Sequence, residues 1–439
     1  MRIRLKNATI VTMNQTMQIV QGDIVIENDR IIAVGELDTT VDREIDCAGT
    51  AIIPGFVQTH VHLCQTLMRN SADDMVLIDW LRNRIWPYEG ALEPNELHAS
   101  ARLGLSELIL GGTTTLLDMA TVRHTESVIE AVADSGIRAF VGKCHMDHPV
   151  EVPPSLMENT QDSLREAIRL CEAWDGKYDG RIRYAFAPRF AVSCTEELLR
   201  GVSQAAAELG VFVHTHASET EFENIWAQEN YGCSNIEFLE RVGIAGDRSV
   251  FAHGVHLTDA DIAILKRTKT AIAHCPSSNL KLASGIANMP RFDAAGVKVS
   301  LGADGAPCNN NMDAFIEMRL AALIQKPIHG PEAMPAERVL RLATIDGAIA
   351  LGIDNEVGSI EVGKKADLVV VDIDSDPGTN PAGSMYSRLV YATHRANVRH
   401  VFASGRQVVD NRELTSWDVA EVISESKQAF SRVMERMQG

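Results

Sequence analysis

The sequence predicts an α/β protein in which a (β/α)8 TIM-type barrel is combined with a small β-sandwich domain formed from both chain ends. Three observations lead to this fold class. Strand and helix signals alternate between residues 56 and about 355, as expected for parallel βα units. Both ends of the chain instead contain strand-like runs without helical periodicity. Histidines and one aspartate stand where several central strands end, which is where barrel enzymes carry their catalytic groups.

The two chain ends share one sequence pattern. Strand-like runs at 8–12, 23–26 and 30–35 alternate with turns, and a similar pattern returns at 363–372 and 398–406. We therefore expect the ends to combine into one β-domain that flanks a central insert. The predicted division is a small β-sandwich domain of residues 1–55 plus 356–415, a catalytic barrel of residues 56–355, and a C-terminal helix of residues 416–439.

The central part contains eight candidate strands. After a first strand that ends near His62, they cover residues 113–119, 137–146, 182–190, 211–216, 250–253, 270–275 and 297–304. Between them, the pattern from Ser193 to Glu196 predicts a capping box that starts a helix, and Gly210 predicts its end. An open doubly wound sheet is the alternative fold, but no Gly-x-Gly-x-x-Gly motif follows any of these strands.

The composition argues against several classes of protein. A formal net charge of −18 over 439 residues makes a nucleic-acid partner improbable, because binding to phosphate backbones needs Lys- and Arg-rich surfaces. No apolar run approaches the roughly 20 residues of a membrane span, and the N-terminus lacks the features of a signal peptide. The eight cysteines are scattered without a Cys-x-x-Cys pair, as in a reducing cytoplasm. We expect a cytoplasmic enzyme with a small-molecule substrate and, as is common among barrel enzymes, a homo-oligomer.

His60 and His62 lie two positions apart on the first predicted strand, so their side chains point to the same face. Taken alone, this motif is also typical of strands with structural histidines. Because a barrel brings its strand ends to one mouth, later strand-end residues would join them, and three imidazoles with one carboxylate suit Zn²⁺ and leave a position for water. These further candidates are His214, His216, His253, His274 and Asp304.

Longer motifs around these residues resemble the amidohydrolase superfamily over nearly the whole chain. The sequence is similar to the branch that contains the cytosine, guanine and adenosine deaminases and the triazine hydrolases. The resemblance implies a distorted (β/α)8 barrel with a small β-sandwich. The motifs are Pro54-Gly55-Phe56 before His60-x-His62, then His216-x-x-Glu219, His253, and Gly302-Ala303-Asp304-Gly305.

The resemblance also implies roles for individual residues. Glu219 would move a proton between water and a ring nitrogen, and His253 would hydrogen-bond the water or the tetrahedral intermediate. Asp304 would accept a proton of the water and help to deliver it to the leaving amine. His214 competes with His216 as a metal ligand, but the His-x-x-Glu spacing of the family selects His216. One divalent metal, with zinc favoured over iron, would be held by His60, His62, His216 and Asp304.

The candidate substrate-binding residues resemble two different groups of deaminases. Glu89 stands where adenosine-type deaminases carry a glutamate that binds the ribose diol, and Trp86 beside it is a further candidate contact. Gln65, Arg189 and Phe190 instead resemble the guanine deaminases. The identity of the purine therefore stays open between adenine and guanine at this point.

Two further features favour a 5′-modified adenosine. Residues 278–286 and 309–319 resemble the methylthioadenosine/S-adenosylhomocysteine deaminases. Lys143 stands where that group has an arginine associated with larger 5′ substituents, which favours 5′-deoxyadenosine or 5′-methylthioadenosine over S-adenosylhomocysteine. The leading prediction is a metal-dependent hydrolytic deaminase that converts the 6-amino group of such a purine nucleoside to the inosine analogue and ammonia. A guanine deaminase and a triazine-hydrolase-like aminohydrolase or chlorohydrolase stay as alternatives, whereas a non-catalytic metal-binding relative would have no use for Glu219.

Overall fold

The computed structural model describes residues 1–35, 40–379 and 382–438 of the chain. The N-terminal part forms β1 (Arg2–Val11), β2 (Ile19–Glu27), β3 (Arg30–Gly35), β4 (Arg43–Asp46) and β5 (Thr50–Pro54). The central part forms β6 (Phe56–His62), β7 (Thr113–Met119), β8 (Arg138–Gly142), β9 (Cys144–His145), β10 (Ile182–Pro188), β11 (Phe212–Ala217), β12 (Ser249–His253), β13 (Ala271–His274), β14 (Val299–Leu301) and β15 (Asp304–Gly305). The C-terminal part forms β16 (Leu368–Asp372), β17 (Val398–Ala403), β18 (Arg406–Asp410) and β19 (Glu413–Leu414).

The central strands form a closed barrel. They pair in parallel in the order β14-β13-β12-β11-β10-β8-β7-β6-β15, with β9 beside β10. The short strand β9 continues β8, and the short strand β15 continues β14. Counted in this way, the ten described segments make eight barrel strands. Because β14 pairs with β13 while β15 pairs with β6, the interrupted eighth strand closes the sheet. The predicted (β/α)8 barrel is confirmed.

Helices connect and surround the strands. The α-helical segments are Leu77–Trp80, Trp86–Gly90, Pro94–Leu110, Thr125–Ser135, Thr160–Trp174, Lys177–Gly180, Glu196–Leu209, Glu221–Tyr231, Asn235–Arg241, Asp259–Thr268, Pro276–Lys281, Met289–Ala295, Ala306–Asn309, Ala314–Leu323, Lys326–His329, Ala336–Ala343, Ile345–Ala350, Met385–Ser387 and Val419–Gln438. Short 3₁₀ or π segments cover Leu63–Met68, Leu81–Ile85, Ala191–Ser193, Arg388–Ala392 and Arg395–Asn397. Among the described helices, none combines the length and the apolar character that crossing a membrane would require.

The helix Glu196–Leu209 begins two residues later than its sequence pattern suggests. Its N-cap is Thr195, whose hydroxyl accepts a hydrogen bond from the Leu198 backbone N–H at 3.2 Å. Ser193, the expected cap, instead donates to the Phe190 carbonyl at 3.2 Å, so the predicted capping box is wrong. The predicted end is confirmed, because Gly210 takes a left-handed conformation with φ of 70° after Leu209.

The two chain ends combine in a second, mixed sheet of nine described strands, in which β16 lies between β5 and β17. Neighbouring residues on these strands face opposite sides. Ile52, Val370 and Phe402 belong to a small core of the end sheet itself, whereas Ile53 and Val369 pack in the large core that extends to the barrel helices. The sheet is thereby anchored to the barrel along one whole face. The division into residues 1–55 plus 356–415, 56–355 and 416–439 as separate units stays a prediction.

Candidate active site

Four side chains from three barrel strands converge at the mouth of the barrel. His60 and His62 come from β6, His216 from β11 and Asp304 from the start of β15. One donor atom from each lies within 4.8 Å of the others, and we call these four residues the donor set. The Asp304 Oδ1 atom lies 3.3 Å from His60 Nε2 and 3.4 Å from His62 Nε2, and the Nε2 atoms of His62 and His216 are 3.2 Å apart.

The imidazoles of the donor set all face the common centre with Nε2. His62 Nδ1 donates to the Met119 carbonyl at 2.8 Å, and His216 Nδ1 donates to the Arg189 carbonyl at 2.6 Å. His60 Nδ1 lies 2.7 Å from Nε2 of His214, which therefore contacts a member of the set and does not belong to it. His60 Nε2 is buried and has no hydrogen-bond partner in the described chain. A buried imidazole nitrogen left in this state fits a metal ligand.

Burial sets the charge state of the donor set. It lowers the pKa of His60 to about 4 and that of His62 to about 3, and it holds the pKa of His216 well below its ordinary value. Burial alone would raise the pKa of Asp304, but the neighbouring imidazoles outweigh it and keep this pKa well below its usual range. Three neutral imidazoles and one carboxylate are the ligands that a divalent ion such as zinc binds.

Two further polar side chains border the donor set. Oε2 of Glu219 lies 3.4 Å from His253 Nε2, and the same nitrogen lies 3.8 Å from Asp304 Oδ2. Burial raises the pKa of the Glu219 carboxyl. Burial lowers the pKa of His253, but the Glu219 and Asp304 carboxylates more than compensate and leave it above its usual value. The structure thus brings together the three predicted catalytic residues, Glu219, His253 and Asp304.

Neighbouring side chains fix the orientation of these groups. The Ser284 hydroxyl donates to Glu219 Oε1 at 3.0 Å, and the Ser278 hydroxyl donates to Asp304 Oδ2 at 2.7 Å. His253 Nδ1 donates to Asn279 Oδ1 at 2.8 Å, which leaves its Nε2 facing the two carboxylates. In the sequence, the stretch 278–286 was notable only for its resemblance to other deaminases, and these contacts were not predicted. Hydroxyl and amide residues directly after the seventh strand were the available signal.

A cavity with about 380 Å³ of empty space, part of it open to solvent, lies over the donor set. One side is polar, with Gln65, Arg189 and Glu219 beside the donor set. The other side is an apolar wall, by which we mean Leu77, Trp80, Leu81, Phe190 and Leu282. Of the predicted substrate contacts, Gln65, Arg189 and Phe190 line the cavity.

The apolar wall contains four residues that sequence reasoning did not single out, because helical periodicity marks them only as core. Trp80 is the tryptophan of the wall. Trp86, the predicted contact, is buried in the same helical region but does not belong to the cavity lining, and its role in substrate binding stays a prediction. Their six-residue separation puts the two indoles on different faces of the helical run.

Glu89 lies behind the cavity lining in a buried ion pair. Arg189 Nη1 donates to Oε2 of Glu89 at 2.5 Å and Nη2 donates to Oε1 at 3.2 Å. Gln65 Nε2 donates to Oε1 at 2.8 Å. A carboxylate offers about four acceptor positions, of which these contacts use three, so one position on Oε2 is left. The adenosine-like glutamate and the guanine-like arginine and glutamine therefore form one network.

A barrel with imidazoles and a carboxylate gathered at the carboxyl ends of its strands defines the class of metal-dependent barrel hydrolases. The chain belongs to the amidohydrolase family, which residues 51–408 match. The family uses a divalent metal, and the prediction of a hydrolase of this family is confirmed.

Individual relatives resemble almost the whole chain. It is 38% identical over 410 residues, 92% of either protein, to a 5-methylthioadenosine/S-adenosylhomocysteine deaminase of Desulfitobacterium hafniense. It is 37% identical over 437 residues, 99% of either protein, to a 5′-deoxyadenosine deaminase of Methanosarcina acetivorans. Among solved structures, an adenosine deaminase from Xanthomonas campestris with bound zinc superposes with a TM-score of 0.93 at 31% identity, over 99% of this chain and 98% of the other.

Proposed function

We propose that the protein is a metal-dependent hydrolytic deaminase that replaces the 6-amino group of a 5′-modified adenosine with oxygen and releases ammonia. The observation that carries the proposal is the meeting of Glu219, His253 and Asp304 beside the donor set, at the base of a cavity. Relatives that are 37–38% identical over nearly the full length are deaminases of 5′-deoxyadenosine and of 5-methylthioadenosine/S-adenosylhomocysteine, which supports the same substrate class.

We propose zinc as the resident metal and His60, His62, His216 and Asp304 as its ligands. Three imidazole nitrogens and one carboxylate oxygen suit zinc better than a harder ion, and a similar deaminase structure holds zinc. Iron is the second candidate because imidazole and carboxylate also bind Fe²⁺. When bound, the metal supplies a Lewis acid that makes water nucleophilic near neutral pH.

The chain's own residues then handle the protons. Glu219 takes a proton from the water at its carboxylate and gives it to ring nitrogen N1, and burial raises the pKa of this carboxyl, which favours its protonated form. His253 hydrogen-bonds the oxygen that becomes attached to C6. Asp304 passes the second proton to the amino group, which leaves C6 as ammonia. Ser284 and Ser278 keep the two carboxylates in place during both transfers.

The cavity favours an uncharged 5′ substituent. Among the residues that line it, Arg189 is the one Lys or Arg, and its guanidinium already forms the ion pair with Glu89. Lys143 is buried and paired with Glu158 at 2.6 Å, so it is not available to bind a substrate carboxylate. The apolar wall instead suits a methyl or methylthio group. 5′-Deoxyadenosine and 5′-methylthioadenosine are therefore the proposed substrates, ahead of S-adenosylhomocysteine.

A screen of ammonia release tests the proposal directly. The purified protein, loaded with zinc, is assayed with adenosine, 5′-deoxyadenosine, 5′-methylthioadenosine, S-adenosylhomocysteine, guanine and 8-oxoguanine. We expect the highest kcat/KM for 5′-deoxyadenosine or 5′-methylthioadenosine. A preference for guanine, or no ammonia from any adenosine, would refute the proposal.

Guanine deamination is the second candidate, because Gln65, Arg189 and Phe190 line the cavity while Glu89 lies behind them. The ribose diol would donate two hydrogen bonds, but the Glu89 carboxylate has only one acceptor position left. Ribose binding by Glu89 therefore requires Arg189 or Gln65 to give up one of its hydrogen bonds to this carboxylate. The substitution Glu89→Ala separates the two candidates. If Glu89 binds the ribose diol, we expect KM for adenosine to rise about tenfold or more, with little change for 2′,3′-dideoxyadenosine.

A matched control is available in Glu96, a buried carboxylate paired with Arg432 and Arg436 at 2.7 and 2.6 Å, on the helix Pro94–Leu110 away from the donor set. Glu96→Ala also removes a buried carboxylate that is paired with arginine, but it should leave the KM values for both nucleosides unchanged. Equal rises in KM for adenosine and the dideoxy analogue in Glu89→Ala would show that Glu89 only orients Arg189 and Gln65.

A further inference from the structure

One imidazole of the donor set is held by another side chain and not by the backbone. His60 Nδ1 lies 2.7 Å from Nε2 of His214, and His214 Nδ1 lies 2.8 Å from the Val250 carbonyl oxygen. The two rings meet at 67° with their centroids 4.8 Å apart, and both side chains are fully buried. His214 comes two residues before His216 on β11, so it points to the same side of the strand, one layer deeper in the barrel.

The Val250 carbonyl determines which atoms donate in the two hydrogen bonds, from His60 to His214 and from His214 to Val250. A carbonyl oxygen only accepts, so His214 carries its hydrogen on Nδ1. An imidazolium buried without a carboxylate partner is strongly disfavoured, so His214 is neutral and its Nε2 accepts. His60 must then carry its hydrogen on Nδ1, which leaves Nε2 bare on the side of the donor set.

We propose that His214 is a positioning residue that fixes the tautomer and ring orientation of His60 for metal binding. The inference rests on the metal site of the proposed function. His62 and His216 obtain the same orientation from backbone carbonyls, of Met119 and Arg189. His60 is thus the imidazole of the donor set whose orientation depends on a replaceable side chain, since no substitution removes a carbonyl oxygen. His214, the first histidine of the His-x-His pair on β11, thus gains a role that its spacing did not assign.

Metal affinity of two variants tests this role. His214→Phe keeps a ring of similar size without an acceptor, and His214→Gln keeps an acceptor oxygen. The dissociation constant for Zn²⁺ is measured on metal-free protein by competition with a chromophoric chelator. We expect about a 10- to 100-fold weaker constant for His214→Phe and a change of only a few-fold for His214→Gln, as for other groups that hold a metal ligand.

The control is His145→Phe, a comparable change at a fully buried barrel histidine whose Nδ1 contacts Ser163 and not the donor set. It should bind Zn²⁺ as tightly as the wild type. Affinity of His214→Phe equal to that of the wild type would overturn the inference. An equal loss in His214→Phe and His214→Gln would also overturn it, because the acceptor would then not be the decisive feature.

A second measurement does not depend on the folding of any variant. In metal-free wild-type protein labelled with ¹⁵N-histidine, the ring nitrogen shifts distinguish a protonated from a bare nitrogen. We expect His60 to show a protonated Nδ1 and a bare Nε2, and a protonated Nε2 would refute the inference. Failure of the proposed metal site is distinguishable, because the wild type itself would then bind no Zn²⁺ tightly, and failure of the proposed substrate class would leave these metal measurements unchanged.

Discussion

Two residues of the site have positive backbone φ angles, which residues other than glycine seldom adopt. His253 has a φ of 77° and Asp304 a φ of 62°, each at the point where a barrel strand ends or resumes. Such conformations cost of order 1–3 kcal/mol and persist only where the surroundings stabilise them. Here the hydrogen bonds from Ser278 to Asp304 and from His253 to Asn279 do so. The strain turns both side chains toward the same space beside Glu219.

Glu219→Gln tests the proton transfer at the scale of one residue. The amide keeps the shape and can still accept from Ser284, but it cannot carry a proton to the ring nitrogen. We expect kcat to fall by about 10²–10⁴ with metal content unchanged, measured as steady-state ammonia release beside metal analysis of the same protein. Glu221→Gln, at a side chain that is 79% exposed two residues away, should retain full activity. A Glu219→Gln variant within tenfold of wild type would contradict the assigned role.

The residues of the donor set could be predicted from the sequence because they are either close together in the chain or placed at the ends of predicted strands. His60 and His62 share a strand, and His216 and Asp304 each follow a recognisable buried run. The ion pair between Glu89 and Arg189 was not predictable in the same way, because it joins side chains a hundred positions apart. Propensity and periodicity contain no information on such a contact. Only the closed barrel shows that the two residues share one network.

At the scale of the element, hydrophobic runs predicted the barrel strands well. The predicted strand 113–119 coincides with β7, and 182–190 exceeds β10 by two residues. The last predicted strand, 297–304, is interrupted in the structure between Leu301 and Asp304. The reason is close approach, since a Cβ on Gly302 would lie 2.8 Å from His60 Cβ. Glycine at position 302 allows Asp304 to pair with β6. The hydrophobic pattern of residues 297–304 alone did not predict this interruption.

Asp372, at the end of β16, gives a test of the end sheet. Burial alone would raise its pKa, but the hydrogen bonds from Ser375 and Arg399 outweigh it, so its pKa is lowered. The charged form therefore stabilises the fold above the unfolded-state pKa of about 3.9, and this contribution is lost as the pH falls below that value. For Asp372→Asn we expect the free energy of unfolding at pH 7 to drop by about 1–3 kcal/mol.

Urea unfolding at several pH values measures this effect. The difference between wild type and Asp372→Asn should be constant from pH 7 to about 5 and shrink as the pH is lowered through about 4. Asp374→Asn is the control, since this neighbouring side chain is 64% exposed and its contact with Arg388 is long, at 3.5 Å. A difference that grows at low pH would mean that the pKa of Asp372 is not lowered in the folded protein.

At the scale of the whole molecule, the donor set joins distant parts of one chain. Its four residues lie on β6, β11 and β15, so two sides of the barrel and its closing strand meet at a single point. The end sheet is connected to the same barrel through its apolar face and through the buried pair of Arg138 and Asp367 at 2.7 Å. Removal of the metal should therefore lower the stability of the whole chain and not only its activity.

Removal of the metal tests this coupling. Without the ion, the Asp304 carboxylate stays buried against three neutral imidazoles, and the folded state also loses the free energy of an ion that the unfolded chain binds only weakly. With free Zn²⁺ at a thousandfold excess over Kd, that loss is about 4 kcal/mol, which lowers Tm by several degrees. Calorimetry of the protein as loaded, after chelation and after return of Zn²⁺ should show a fall in Tm and its recovery. In His62→Ala, which lacks one ligand, the chelator should change Tm much less. A chelated wild type that is shown to be metal-free and yet melts at the temperature of the loaded protein would mean that the donor set does not tie these strands together.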